Sequence, residues 1–128
     1  MSPSLVLLAD DDEDSRLAIQ YALEDDGYAV EVVENGLQVL ERLKTPPTPA
    51  LLLLDIRMPL MDGVTLVHAL EAGDFPRVDI VLLTALPHAE GIDCPLLRKP
   101  VSLETLLQVV AEHTGRAPLG APRTSPFA

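Results

Sequence analysis

Several stretches of this chain are apolar without interruption and then stop on a polar group. That pattern narrows the possible folds more than any other feature. "LVLLA" at residues 5 to 9 runs into Asp10, Asp11, Asp12 and Glu13, "ALLLLD" at 50 to 55 ends on Asp55, and "VDIVLLT" at 78 to 84 ends on Thr84. A weaker run, "PLLRK" at 95 to 99, ends on Lys99 just before Pro100. A strand with one wet face alternates apolar and polar residues. A strand that is apolar throughout is covered on both faces, which predicts a parallel sheet between two layers of helices.

The segments between these runs supply the helices. Residues 13 to 26 place Ala18, Ile19, Ala22 and Leu23 at helical spacing, with Gly27 as a stop. "YAVEVV", 28 to 33, reads as a further strand that ends at the turn-like pair Asn35-Gly36. Residues 37 to 44 form a short amphipathic helix, which "TPPTP" cannot continue. Residues 64 to 72 predict a helix followed by Gly73, and 103 to 113 another with Ser102 as its N-cap. Five strands interleaved with helices predict an α/β, flavodoxin-like doubly wound sheet of order 2-1-3-4-5. One domain spans 1–114, and the Pro- and Gly-rich stretch 115–128, which has no period, reads as a disordered tail.

With 20 acids against 9 bases the net charge is −11, which disfavours a nucleic-acid-binding surface or an anionic membrane and suits a cation partner. The single cysteine, Cys94, excludes an internal disulfide and reads as a packed thiol without a role. His68, His88 and His113 match no metal-ligand spacing and read as surface or packing residues. The amino-terminal residues lack the basic region of a signal peptide, and their apolar run is too short to span a membrane. A cytoplasmic location is the expectation.

In the order 2-1-3-4-5, strands one and three are neighbours, so Asp10, Asp11 and Asp55 meet at the carboxyl ends, where open α/β sheets bind ligands. Strands four and five bring Thr84 and Lys99 to the same rim. Taken singly, each has an ordinary explanation: acids favour a helix start, an aspartate suits a turn, a threonine ends a strand, a lysine is solvated. Taken together they form a constellation. Crowded carboxylates repel one another unless a cation sits among them, and an oxygen-only set without His or Cys points to Mg²⁺ or a similar ion. The chain contains neither a P-loop nor a GxGxxG stretch, so a nucleotide is not the obvious phosphate source. A carboxylate can itself be the nucleophile in phosphoryl transfer. Lys99 and the cation would then neutralise the transferring group, Thr84 would hydrogen-bond a phosphoryl oxygen, and Asp55 would be left uncapped by its own protein.

With these residues in place the chain resembles a response-regulator receiver domain of two-component signalling, over residues 4 to about 114. The motifs are "LVLLADD" with Arg16, "LLLLDIRMPLMDG", "IVLLTA" and "LRKP", in this order. The resemblance implies that Asp55 is the phosphoacceptor. It also implies that Asp10 and Asp11 hold Mg²⁺, Asp11 directly and Asp10 through water, and that the backbone carbonyl of Arg57 completes the ligands. Thr84 would be the switch hydroxyl, Lys99 the invariant-type lysine, and the Lys99-Pro100 bond cis. Arg57 and Leu86 occupy positions that tune phosphoryl lifetime in such domains. Asp12 takes no family role and reads as a helix-start residue.

Two departures stand out. Thr84 and Lys99 are separated by "ALPHAEGIDCPLLR", which is too short and too rich in Pro and Gly for a full crossover helix with two loops. The fourth helix is therefore expected to be missing or much shortened. The aromatic usual a few residues before the lysine is also absent, with Leu96 in its place. Because only a short tail follows, the resemblance suggests a stand-alone receiver. Its partners would be a sensor histidine kinase or phosphotransfer protein and an unidentified downstream protein. Two other readings stay open: a phosphorylation-independent protein-binding module, and a small Mg²⁺-dependent phosphohydrolase that uses Asp55 transiently.

Overall fold

The apolar runs form one parallel sheet in the order β2-β1-β3-β4-β5 in the computed structural model, which describes residues 4–58, 60–85 and 95–115. The elements follow the chain as β1 (Leu5–Ala9), α1 (Glu13–Asp25), β2 (Ala29–Val33), α2 (Gly36–Leu43), β3 (Leu51–Asp55), α3 (Gly63–Ala72), β4 (Asp79–Thr84), β5 (Leu96–Arg98) and α4 (Leu103–Thr114). The predicted fold class and strand order are those observed. The expected shortening of the helix between the fourth and fifth strands concerns residues 86–94. These lie outside the described residues, as do Leu86, His88, Cys94 and the tail from 116 onward.

The burial of the strands explains their composition. β3 is buried at every position, and Leu51, Leu52, Leu53 and Leu54 have no exposed surface. Alternate strand residues feed two separate cores. Val6, Leu8, Leu51, Leu53, Val81 and Leu83 pack on Ile19 and Leu23 of α1 and on Leu106 and Val110 of α4. Leu7, Ala9, Leu52, Leu54 and Leu82 pack on Val39 and Leu43 of α2 and on Leu66 and Val67 of α3. Each fully buried leucine contributes roughly 1.5–3 kcal/mol, so this central layer is the main source of stability. The edge strand β2 is only half-buried, and β5, the other edge, has just three residues.

Local signals set the element ends. Ser102 caps α4 as expected, its Oγ accepting from the Thr105 N–H. Asn35-Gly36, read from the sequence as a turn, is instead the start of α2. The Asn35 side chain accepts from the Gln38 N–H at 2.9 Å, and the helix begins at Gly36. Past the end of α1, Gly27 adopts φ 93°, which a glycine reaches without strain. The Lys99–Pro100 peptide is cis, as is Pro46–Pro47. No helix among the described residues is long and apolar enough to cross a membrane.

The strand register is what positions the site. Ala9 pairs with Leu54, Asp55 with Leu83, and Thr84 with Arg98. The next residues along β1 and β4, Asp10 and Thr84, therefore reach the level of Asp55, and Lys99 follows directly behind β5.

One residue beside the site is strained. Leu60 has φ 67° and is 77% exposed, so it occupies the left-handed region without any packing to offset the cost. Asparagine tolerates that conformation better. Leu60→Asn is expected to raise stability by about 1 kcal/mol, read as a higher denaturation midpoint at unchanged slope. A midpoint that falls would contradict the assignment of strain.

Candidate functional site

At the carboxyl ends of the strands, Asp10, Asp55 and Thr84 are all buried. Lys99 enters from behind β5, its side chain 17% exposed. Its Nζ donates to Asp10 Oδ2 at 2.9 Å and to Asp55 Oδ2 at 2.8 Å. One ammonium thus ties together the ends of two neighbouring strands, 89 and 44 residues away along the chain. The Lys99 N–H also donates to the Thr84 carbonyl at 2.7 Å, which fixes the lysine backbone to the end of β4.

The remaining carboxylate oxygens take backbone donors. Asp10 Oδ1 accepts from the Asp12 N–H at 2.9 Å, and Asp55 Oδ1 accepts from the Arg57 N–H at 3.0 Å. The expectation that Asp55 stands uncapped is therefore corrected: both of its oxygens have partners. A buried carboxylate without donors would be too costly to keep ionised, which is why the fold supplies them. Asp12 stands at the N-cap of α1, the helix-start place read from the sequence. Its side chain makes no cap bond, and its N–H serves Asp10 instead. Arg16, from the first turns of α1, donates to the Asp10 carbonyl at 3.1 Å and holds this loop against the sheet.

The loop after Asp55 is clamped at both ends. The Ile56 N–H bonds the Leu83 carbonyl, and the Gly63 N–H bonds the Ile56 carbonyl at 2.8 Å. Asp62 then caps α3, its Oδ1 accepting from the Thr65 N–H at 2.8 Å. A Cβ at position 63 would lie 2.8 Å from the Ile56 Cα and 2.9 Å from the Asp55 carbonyl oxygen, so only glycine allows α3 to start this close to the acid. Neither the Arg16 bond nor this clamp was read from the sequence. The Asp-Gly pair at 62 and 63 is the one signal that could have shown the clamp.

Asp10, Asp11 and Asp55 each offer a carboxylate oxygen, and these atoms lie within 4.8 Å of one another. Unlike the other two, Asp11 is exposed. It borders a cavity of about 490 Å³ lined by Ile56, Arg57, Met58 and Asp62 as well. A set of hard oxygens with one ligand facing solvent fits a hydrated divalent cation such as Mg²⁺, which holds few protein ligands and keeps several waters. Arg57 lines the same cavity.

The electrostatics separate the two buried acids. Burial pushes both carboxyls up. At Asp10 the Lys99 ammonium and the Asp12 N–H outweigh burial and hold the group below its ordinary value. At Asp55 burial prevails over Lys99 and the Arg57 N–H, so the group is raised. Burial would lower Lys99, but its bonds to Asp55 and Asp10 overcome that and hold the ammonium above its usual range.

Comparison with known proteins agrees with this geometry. The family model described as response regulator receiver domain matches residues 6–111. The response regulator receiver protein CpdR of Brucella abortus is 37% identical over 112 residues, covering 82% of this chain and 92% of that protein. The sensor histidine kinase GacS of Pseudomonas protegens is 37% identical over 124 residues, covering 88% of this chain, which spans only 13% of that kinase. The receiver domain of the Francisella response regulator 1452 superposes with a TM-score of 0.78 at 27% identity, covering 88% of this chain and 97% of that one.

Two outcomes follow from this geometry. Asp55 is raised, so the unfolded chain gives up its proton at lower pH than the folded one. Above the ordinary carboxylate range its ionisation opposes folding, whereas the lowered Asp10 stabilises the fold there and loses that effect as pH falls. In metal-free protein at neutral pH, Asp55→Asn should therefore melt above the parent and Asp10→Asn below it, both gaps closing on acidification below the carboxylate range. Melting shifts of the same sign in the two variants would contradict the assignment. Gly63→Ala should cost about 1–3 kcal/mol, checked by denaturant titration, because the new methyl group meets backbone rather than a side chain that could move.

Proposed function

The chain belongs to the response regulator receiver family, and from that premise we propose that it accepts a phosphoryl group on Asp55 from the phosphohistidine of a sensor kinase or phosphotransfer protein. The observation that carries the reading is the Lys99 ammonium shared by Asp10 and Asp55 at 2.9 and 2.8 Å, with Asp11 and Thr84 on the same rim. An Asp55 oxygen attacks phosphorus, the O–P bond forms as the P–N bond breaks, and the imidazole leaves with a proton from solvent. The Arg57 N–H and Lys99 orient the carboxylate for that attack, and the ammonium is at hand to neutralise the added phosphoryl oxygens. Thr84, buried at the end of β4, would turn its hydroxyl to the new group.

Asp11, Asp55, the Arg57 carbonyl and, through water, Asp10 would hold Mg²⁺. When bound, such an ion neutralises charge on the transferring group. The added phosphoryl charge then shifts the balance between conformations of the surface read by a downstream protein. The match to CpdR, a response regulator receiver protein, over 92% of that protein's length supports the receiver reading.

Incubation with acetyl phosphate and Mg²⁺, followed by intact-mass measurement, tests the reading. One phosphoryl adduct per chain is expected, lost in Asp55→Asn and without chelator-resistant formation. Lys99→Ala should slow its appearance by more than tenfold, about 1.4 kcal/mol or more of transition-state stabilisation. Absence of an adduct in the parent would favour a phosphorylation-independent binding module. Repeated turnover of an external phosphate ester would favour a phosphohydrolase.

A further inference from the structure

The acidic pocket occupies one end of the sheet, and the largest cavity among those described lies at the other. It has a volume of about 730 Å³ and opens beside the amino-terminal ends of β3, β4 and β5. Val67 of α3 and Val78 and Ile80 at the start of β4 form its apolar wall. Glu71 and Asp79 line it as acids against one cation, Arg77. Its remaining charged or titratable neighbour is His113, in the last turn of α4, whose Nδ1 lies 3.4 Å from Asp79 Oδ2. None of these residues has a part in the acidic pocket.

We propose that this groove is the docking site of the chain's own residues 116–127. Three observations single out that occupant. The first is position: α4 ends at Thr114, one residue past groove-lining His113, and Gly115 turns the backbone through the left-handed region with φ 74°. The next residues therefore begin at the groove's edge, and at roughly 3 Å per residue in extended form they have ample length to cross it. The second is charge. Residues 116–128 carry Arg116 and Arg123 and no acidic side chain, whereas the first 115 residues hold 7 bases against all 20 acids, a formal charge of −13. The third is chemistry. Leu119 and Phe127 are apolar anchors for a wall of valine and isoleucine, and Pro118, Pro122 and Pro126 favour an extended backbone, which lowers the entropy lost on docking.

The docked segment lays its apolar side chains along Val67, Val78 and Ile80 and its arginines toward Glu71 and Asp79. It covers the floor of the sheet and leaves the acidic pocket open. The inference is independent of the phosphoacceptor reading, since no residue is common to both.

The 128-residue chain carrying Cys94→Ser and a nitroxide at Ser125→Cys tests it by NMR. Amide signals of Val67, Val78 and Ile80 are expected to lose intensity with the label oxidised and to recover when it is reduced. Adding Arg116→Glu with Arg123→Glu, or raising the salt, should abolish the loss. Without any label, the same charge reversal in the parent chain should move these three amide shifts, so the proposal can still be tested if the cysteine exchange fails to fold. It is overturned if intensity is lost nowhere or at another surface. It is overturned equally if the loss arises only between spin-labelled and separately isotope-labelled chains, which would mean that a second copy occupies the groove.

Discussion

The Lys99 ammonium lies between two buried carboxylates, and the upper rim of the sheet depends on that arrangement. Two acids against one cation leave the pocket one charge short of balance, and Asp11 at its mouth widens the deficit. Burying such a set is expensive, and removing the cation would leave charges that nothing compensates. The protein meets the cost locally, with backbone donors from Asp12 and Arg57, and globally, with two leucine-rich cores on the faces of the same strands. Stability comes from the apolar length of each strand, and the chemistry is confined to the residue that ends it.

That division of labour requires the strands to stay in register. A one-residue slip between β1 and β3 would turn every leucine to the other face and carry Asp10 away from Asp55. The pairings that bring the acids together are therefore the ones that separate the two cores, and a chain that packs its interior correctly has already assembled the pocket. Lys99 adds a tie from the far edge. Its N–H is fixed to Thr84 and its side chain reaches over β4 to β3 and β1, so β5 is joined to the sheet centre by charge as well as by its three-residue ladder.

Much of this was legible in the sequence because burial leaves a strong signature. The unbroken run at 51 to 54 can hardly be anything but a central strand, and parallel order then brings together acids that are far apart along the chain. The partners of those acids were not legible. Asp55 looked bare because its donors are a backbone N–H two residues on and a lysine 44 residues away, and neither leaves a mark in the local pattern. Asn35-Gly36 reads as a turn because the dipeptide suits one. It became a cap because the next residues turn an amphipathic face to the core, and tertiary burial overrode the local preference. Arg16 reads as one more helix-face cation, and only the fold shows its guanidinium reaching back to the Asp10 carbonyl.

Burial also gives the pocket a direction. Asp10 and Thr84 are fully enclosed and Asp55 nearly so, while Asp11 is open to solvent on the side bordered by Arg57, Met58 and Asp62. Among the described residues, the open side of Asp11 borders the loop that begins at Ile56, while Lys99 contacts both buried acids. Hydrogen bonds at Ile56 and Gly63 clamp the ends of that loop, and Gly63 packs against the Asp55 backbone itself. A segment held at both ends has to absorb misfit between them, and the left-handed Leu60 is where this loop does so. The strained Leu60 thus lies in the same loop whose two ends fix the Asp55 backbone at the end of a buried strand.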